Sequence, residues 1–162
     1  MVFRFLNSHR DDEQTVRLRA IPLFSTLSAR ELHTVGSLMH ERSYLRDEVI
    51  FDEGEEGQAI YIVFAGRVLI CRQGQPEQGR IAELGPGTFF GDLALIENLP
   101  RAAQARALEP CQLGVFFRND FLSLLDTHAV TASKIALELA RTMGVRLRDA
   151  MLQVGAPFQR HL

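Results

Sequence analysis

The stretch Phe89-Phe90-Gly91-Asp92-Leu93-Ala94-Leu95-Ile96-Glu97-Asn98-Leu99-Pro100-Arg101-Ala102-Ala103 does not read as ordinary sheet sequence. Gly85-Pro86-Gly87-Thr88 leads into it as a strand-to-turn element. Leu93 to Glu97 are good helix formers, but they make only about one and a half turns, too few to stand alone. Gly91 opens the backbone to close approach by a ligand, and the free N–H groups of a helix start attract anions. Pro100 stops the helix, and Arg101 follows among Pro100, Ala102 and Ala103, a setting that points its side chain inward. A buried guanidinium needs an anion, because an unpaired buried charge is very costly. Two arrangements meet that need. Either a phosphate is held by Arg101 and the helix start, or Arg101 pairs internally with Asp92 or Glu97, with Asp92 a plain first-turn acid favoured by the helix dipole.

The segment sits near the end of a zone of strands running from His40 to Phe117. Val49–Phe51, Ala59–Phe64, Val68–Cys71, Ile81–Leu84, Ala102–Ala107 and Gln112–Phe117 are β-rich runs with glycines between or beside them. Short strands at regular spacing with glycine turns predict a sandwich or barrel. Residues 52–56 form an acidic cluster that reads either as a solvated turn or as a site for a hard cation.

Helices flank this zone. The pattern predicts one near 11–20, a turn at 21–27 and a second helix at 28–39, opened by the capping box Ser28-Ala29-Arg30-Glu31. After the strands, Asn119 or Asp120 caps a short helix through Leu125, and a long helix follows from about Ala129 to Leu152. Ile135, Leu139, Met143, Leu147 and Met151 make an apolar stripe on it, beside the small residues Ala132, Ala136, Ala140 and Gly144. These stripes either pack on the chain's own barrel or serve as a lid or dimer contact. The last ten residues read as a tail.

Composition narrows the function classes. The chain has 162 residues, 46% hydrophobic and 23% charged, with a net charge of -2, as expected of one soluble domain. That charge argues against non-specific nucleic-acid binding. No apolar run approaches the ~20 residues that span a bilayer, and Met1–Arg10 lacks the apolar core of a secretory signal. Cys71 and Cys111 are too few for a disulfide framework or a zinc site. They read as reduced, half-buried thiols of a cytoplasmic protein, a single disulfide being the alternative. Of 18 basic residues only Lys134 is lysine. Codon bias accounts for most of this excess, and only position can single out a functional arginine.

The segment 89–103 resembles the phosphate-binding cassette of cyclic nucleotide-binding domains, the family of catabolite activator proteins and protein kinase A regulatory subunits. The family pattern is Phe-Gly-Glu, a Leu-Ala-Leu-like run, a short gap, and Pro-Arg followed by a small residue and Ala. Here only the acid differs, Asp92 standing in place of Glu. Ile21–Phe24 with Leu27, Asp47–Phe51 with Glu53-Gly54, Ala59–Val63 with Gly66–Val68, and Asp120–Leu125 are similar to further family motifs, so the match runs from about Arg17 to Leu152. The resemblance implies a mainly β fold with flanking helices. Its core is an eight-stranded antiparallel β-roll, jelly-roll-like, with N-terminal helices at 1–39 and the roll at 40–117. The cassette helix lies within 89–103, lid helices follow at 118–152, and a tail occupies 153–162.

By the same resemblance Arg101 holds a cyclic phosphate and Asp92 accepts from the ribose 2′-hydroxyl. Gly91, Leu93, Ala94 and Ala102 offer backbone groups, Val68 and Leu84 face the base, and Leu139 or Met143 closes over it. Aspartate is one methylene shorter than glutamate, about 1.5 Å of reach. Losing such a charged hydrogen bond costs roughly 1.5–3 kcal/mol, about 10- to 150-fold in affinity. Ala102 lacks the hydroxyl that guanine-selective relatives often carry after this arginine, which favours cAMP over cGMP. About ten residues after Leu152 leave no room for a winged helix-turn-helix, so the expectation is a stand-alone sensor without direct DNA binding, membrane or metal. It would signal to a protein effector or through a homodimer along helix 129–152. The alternative is a degenerate module that binds no nucleotide and acts as a protein-interaction scaffold. A cupin-type enzyme is disfavoured, because of His9, His33, His40, His128 and His161 only His40 falls on a strand.

Overall fold

The computed structural model describes residues 13–153. Met1–Arg10, His9, His161 and all but the first residue of the expected tail lie outside the described residues. Helical backbone at 13–19 (α1) is followed by a 3-10 turn, Pro22–Phe24, and by α2, Ala29–Ser37. The capping box forms as read: Ser28 Oγ accepts from the Glu31 N–H at 3.3 Å, and the Glu31 carboxylate accepts from the Ser28 N–H at 2.7 Å. Eight strands come next: β1 His40–Tyr44, β2 Val49–Phe51, β3 Ala59–Ala65, β4 Val68–Arg72, β5 Gln75–Leu84, β6 Phe89–Phe90, β7 Gln104–Ala107 and β8 Cys111–Phe117. Helices α3, Arg118–Thr127, and α4, Ala129–Gln153, complete the order.

The strands form two four-stranded antiparallel sheets, β1-β8-β3-β6 and β2-β7-β4-β5, the roll the sequence implied. The chain passes between the sheets at Gly66, where φ is 82° and an added Cβ would lie 2.4 Å from the Pro110 carbonyl oxygen. Only glycine fits such a crossing. Alternation along β3 separates two cores. Ile60 and Ile62 face one way, onto Leu18, Phe24, Leu32, Phe116, Ile135 and Leu139 of the helical layer and β8. Val63 faces the other, with Phe51, Val68, Phe90, Ala105 and Leu113 between the sheets. Burial on both faces explains why β3 reads as a continuous apolar run.

Several boundaries differ from expectation, each for a local reason. The cassette helix is a 3-10 turn over Asp92–Leu95 rather than an α-helix from Leu93 to Glu97, because Gly91 enters it in the left-handed conformation, φ 73°. Strand β7 begins at Gln104, so Arg101–Ala103 stay outside the ladder, with the Arg101 N–H donating to the Glu55 carbonyl at 2.7 Å. Helix α3 starts at Arg118 with no side-chain cap; its first N–H donates to the Gln58 carbonyl at 2.8 Å in place of a cap from Asn119 or Asp120. Both cysteines are free and fully rather than half buried, and burial raises both thiol pKa values. The 52–56 cluster is a turn tied down by Arg72 to Glu53 at 3.2 Å and by Gln104 to Asp52.

The two stripes of α4 divide along its length. Ala132, Ile135 and Leu139 are buried against the chain's own core, and Met143 packs at its edge. Beyond that point Val145, Leu147 and Leu152 are exposed. Among the described residues no helix is long and apolar enough to cross a membrane.

Candidate functional site

Strand β6, the Asp92–Leu95 turn and the segment Leu99–Ala103 frame a cleft of about 280 Å³. Its walls are apolar, from Phe51, Ile70, Phe90, Leu93 and Leu99, and Arg101 lies in it. Glu97 also lines it, and an apolar hollow with a few placed polar groups is the ordinary make-up of a small-ligand site.

Arg101 is 9% exposed and neither Asp92 nor Glu97 pairs with it, so the internal ion pair the sequence allowed does not form. Its Nη2 donates to the Ala59 carbonyl at 2.8 Å and its Nη1 to the Gly91 carbonyl at 3.3 Å. The guanidinium carbon lies 4.1 Å from the Phe51 ring centroid and 5.6 Å from that of Tyr61. Its Nε has no hydrogen-bond partner among the described residues. Burial pushes its pKa below the usual arginine value, with Tyr61 and Glu55 opposing. Two neutral carbonyls orient the charge without neutralising it. A guanidinium carries five donors in a planar fork, so this one keeps donors with which it can bind an oxyanion.

Gly91 is required twice over. Its φ is positive, and an added Cβ would lie 2.5 Å from Arg101 Nη1. Leu93 is half exposed at the mouth, whereas Ala94 is buried and its N–H is already spent on the Gly91 carbonyl at 3.1 Å. Ala102 lines the cleft. The carboxylate of Asp92 does not line it. It pairs with Arg146 of α4, a residue sequence reasoning passed over.

The structure does not bring the expected base contacts to the cleft. Val68 and Leu84 pair with each other across β4 and β5, one rung of the roll away; Ile70, two residues further on the same face of β4, lines the cleft instead. Leu139 is buried under the N-terminal helices and Met143 packs beside it, so neither reaches the opening. A second residue missed in sequence is Arg118. It donates to the carbonyls of Gly57 and Glu97 at 3.1 and 2.8 Å and to Asn98 Oδ1 at 2.8 Å, mooring the cassette's exit to the start of α3.

The model of the cyclic nucleotide-binding domain matches residues 41–128, more than half of the chain. The chain belongs to the cyclic nucleotide-binding domain family. A cyclic AMP receptor protein of Thermus thermophilus is 36% identical over 138 residues, covering 85% of this chain and 62% of its own length. Among solved structures, the Thermus thermophilus catabolite activator protein superposes with a TM-score of 0.73 at 34% identity, covering 83% of this chain and 62% of that one. The regulatory domain of Toxoplasma gondii PKA, solved with cAMP, gives 0.63 at 30% identity over 71% of this chain and 44% of that one. The chain thus spans less than two thirds of the length of each of these three relatives. As a cyclic nucleotide-binding domain it carries its cleft where the cassette motif lies.

Proposed function

We propose that the cleft binds cAMP and that the chain works as a regulatory sensor. The observation that carries this reading is the buried Arg101 guanidinium, with an unbonded Nε and only neutral acceptors on its other nitrogens. A singly charged cyclic phosphate has the charge and the paired oxygens to satisfy that fork. The backbone at Gly91, Leu93 and Ala102 borders the same space, and Ile70 with Leu93 and Leu99 offers an apolar seat for a purine. Ala102 provides no hydroxyl for a guanine, which favours adenine. Occupancy draws the cassette toward Arg101, and the moorings at Arg118 and Arg146 pass that movement to α3 and α4. The output is a protein partner or a second copy met by the exposed end of α4, in the cytoplasm, with no catalytic step in this domain. A ligand shifts such an equilibrium only by its difference in affinity for the two states.

One observation favours a scaffold that holds no nucleotide: Asp92 is turned to Arg146 and away from the cleft. Thermal melting with cAMP, cGMP and cyclic di-GMP separates the readings. A ligand at 100 times its dissociation constant stabilises by about 2.7 kcal/mol. The expectation is a rise with cAMP, lost in Arg101→Ala, which removes two charged hydrogen bonds of about 1.5 kcal/mol each and weakens binding by about 150-fold. No rise with any of the three at millimolar concentration selects the scaffold. A rise that survives Arg101→Ala refutes the site.

A further inference from the structure

Among the described residues four polar or charged side chains are buried: Asp92, Arg101, Gln104 and Thr131. The first two belong to the cassette, and Thr131 joins Glu31 at 3.4 Å. Gln104, at the start of β7, does not line the cleft. Its amide oxygen accepts from Arg106 Nε at 3.4 Å and from Cys71 Sγ at 3.7 Å. With two donors on the oxygen, the amide nitrogen is turned to the Asp52 carboxylate, to which it donates. Asp52 is the residue after Phe51, and Phe51 with Ala105 is the last rung of the β2–β7 ladder. The bond therefore extends the pairing by one position, where both chains leave the sheet. Beyond it, the 52–56 turn takes both backbone groups of Arg101. The Arg101 N–H donates to the Glu55 carbonyl at 2.7 Å, and its carbonyl accepts from the Gly54 N–H at 2.9 Å. Arg72 Nη1 adds a bond to the Ala102 carbonyl at 3.1 Å.

We propose that Asp52 and Gln104 are positioning residues for anion binding: their bond ties the strand ends that carry Phe51 and Arg101, and so fixes where the guanidinium faces the cleft. This rests on the reading of the cleft as a cyclic-nucleotide site. Arg101 has three kinds of support. Its Nη atoms are aimed by the Ala59 and Gly91 carbonyls, its guanidinium carbon lies 4.1 Å from the Phe51 ring centroid, and its backbone hangs on Gly54 and Glu55. The last two supports flank Asp52 on either side. One side-chain bond at the root of the turn thus governs both the ring against the guanidinium and the backbone that carries it. Ala102 and Ala103 lie outside the ladder, so no strand pairing between Arg101 and Gln104 substitutes for that bond. An N–H···O bond weakens steeply as it bends, so a small displacement of the fork lowers its grip on a phosphate. The acidic turn at 52–56 is thereby the arginine's mounting.

The test uses the full chain with Asp52→Ala, Asp52→Asn, Gln104→Leu and the double variant Asp52→Ala with Gln104→Leu. Calorimetric titration with cAMP is expected to show Asp52→Ala and Gln104→Leu each weaker by about tenfold, the scale of one lost charged hydrogen bond. The double variant should be no weaker than either single one, since all three break the same bond. Asp52→Asn keeps an amide oxygen that accepts from Gln104 and should retain wild-type affinity. A role through charge would instead tighten Asp52→Ala and Asp52→Asn alike, because both remove a negative group near an anion. A role in stability alone would lower the melting temperatures and leave the affinities unchanged. Either result overturns the proposal. Should Asp52→Ala not fold, Gln104→Leu carries the same comparison. The nitrogen NMR signal of Arg101 Nε, assigned by its loss in Arg101→Lys, reads the guanidinium without nucleotide. It is expected to move in Asp52→Ala and Gln104→Leu and to stay in Asp52→Asn; a signal unmoved by breaking the bond overturns the proposal. Should the wild-type chain bind no cAMP, the reading of the cleft fails separately, and this signal alone decides whether the pair positions Arg101.

Discussion

Replacing Gly91 by alanine tests whether the cassette glycine exists for its conformation or for the guanidinium beside it. Two costs are separable. The first is backbone strain: φ is 73°, and an L-residue held there costs about 1–2 kcal/mol. The stiffer unfolded chain returns about 0.4–1 kcal/mol, leaving roughly 1 kcal/mol. The second is contact. The new methyl would sit 2.5 Å from Arg101 Nη1 and 3.4 Å from the Ala59 carbonyl oxygen. The guanidinium has little room to yield, since it lies over Phe51 and donates to that same Ala59 carbonyl. Displacing it forfeits hydrogen bonds to a charged group, about 1.5–3 kcal/mol more. Gly74 is the control, with the same φ of 73° and nothing within 4 Å of an added Cβ. For a chain of this size 1 kcal/mol moves the melting temperature by about 2–4 °C. Gly74→Ala should therefore melt about 2–4 °C lower, and Gly91→Ala about 5–16 °C lower with cAMP binding lost. The assays are circular-dichroism melts and calorimetric titration of both variants. Equal melting temperatures would show that Arg101 is not held against Gly91, and the account of the site's rigidity would fall with that contact.

Two further outcomes follow from named contacts. Glu31 accepts both its own capping bond and Lys134 at 2.8 Å, and these partners, Lys134 first, hold its pKa at about 2 against an ordinary 4.5. A depressed carboxylate adds stability above pH 4.5 and loses it as the pH falls toward 2. Solvent screening limits this to about 1 kcal/mol, so melts of wild type and Glu31→Gln should differ at neutral pH and converge by pH 2; a gap that persists there would refute the assignment. Arg118→Ala should cost about 2–3 kcal/mol by leaving its acceptors unpaired. It should also speed hydrogen exchange over 96–100; unaltered exchange there would show that Arg118 does not moor the cassette.

The sequence disclosed elements whose physics is local. The Ser28–Glu31 box needs only four residues, and β3 and β8 declare themselves by apolar content. Strand β1, His-Glu-Arg-Ser-Tyr, is an edge strand with four of its five residues exposed, so it shows no apolar alternation by which to read it. Strand β6 has two residues, too few for any period. Six of the ten residues of β5, 75–80, are a polar extension that only its pairing with β4 makes a strand. Of the residues expected to face the base, neither Val68 nor Leu84 lines the cleft, whereas Ile70 of β4 does. Val68 and Ile70 share a face about 6.6 Å apart, and which of them meets the cleft depends on where Leu84 and Ala107 close the roll. Arg146 was hidden for another reason. It is an exposed helix arginine among many, and its partner lies 54 positions away. The one sequence signal was the shortened acid at Asp92.

That signal gives the arginine excess a partial structural meaning. Three arginines from three parts of the chain hold one short segment by different groups. Arg101 takes the Gly91 carbonyl from below, Arg146 the Asp92 carboxylate from α4, and Arg118 the Glu97 carbonyl and Asn98 side chain from the first residue of α3. In each case the guanidinium has a second acceptor outside the 3-10 turn: Ala59, Phe89 and Gly57. A planar fork with donors on separate nitrogens can bridge two fixed acceptors, whereas an ammonium on a flexible stem offers no such geometry. The helix of the cassette is a 3-10 turn of four residues that cannot persist by its own hydrogen bonds. Its shape is therefore set by these bridges, and on the proposed function it is through them that an anion at Arg101 would reach α3 and α4.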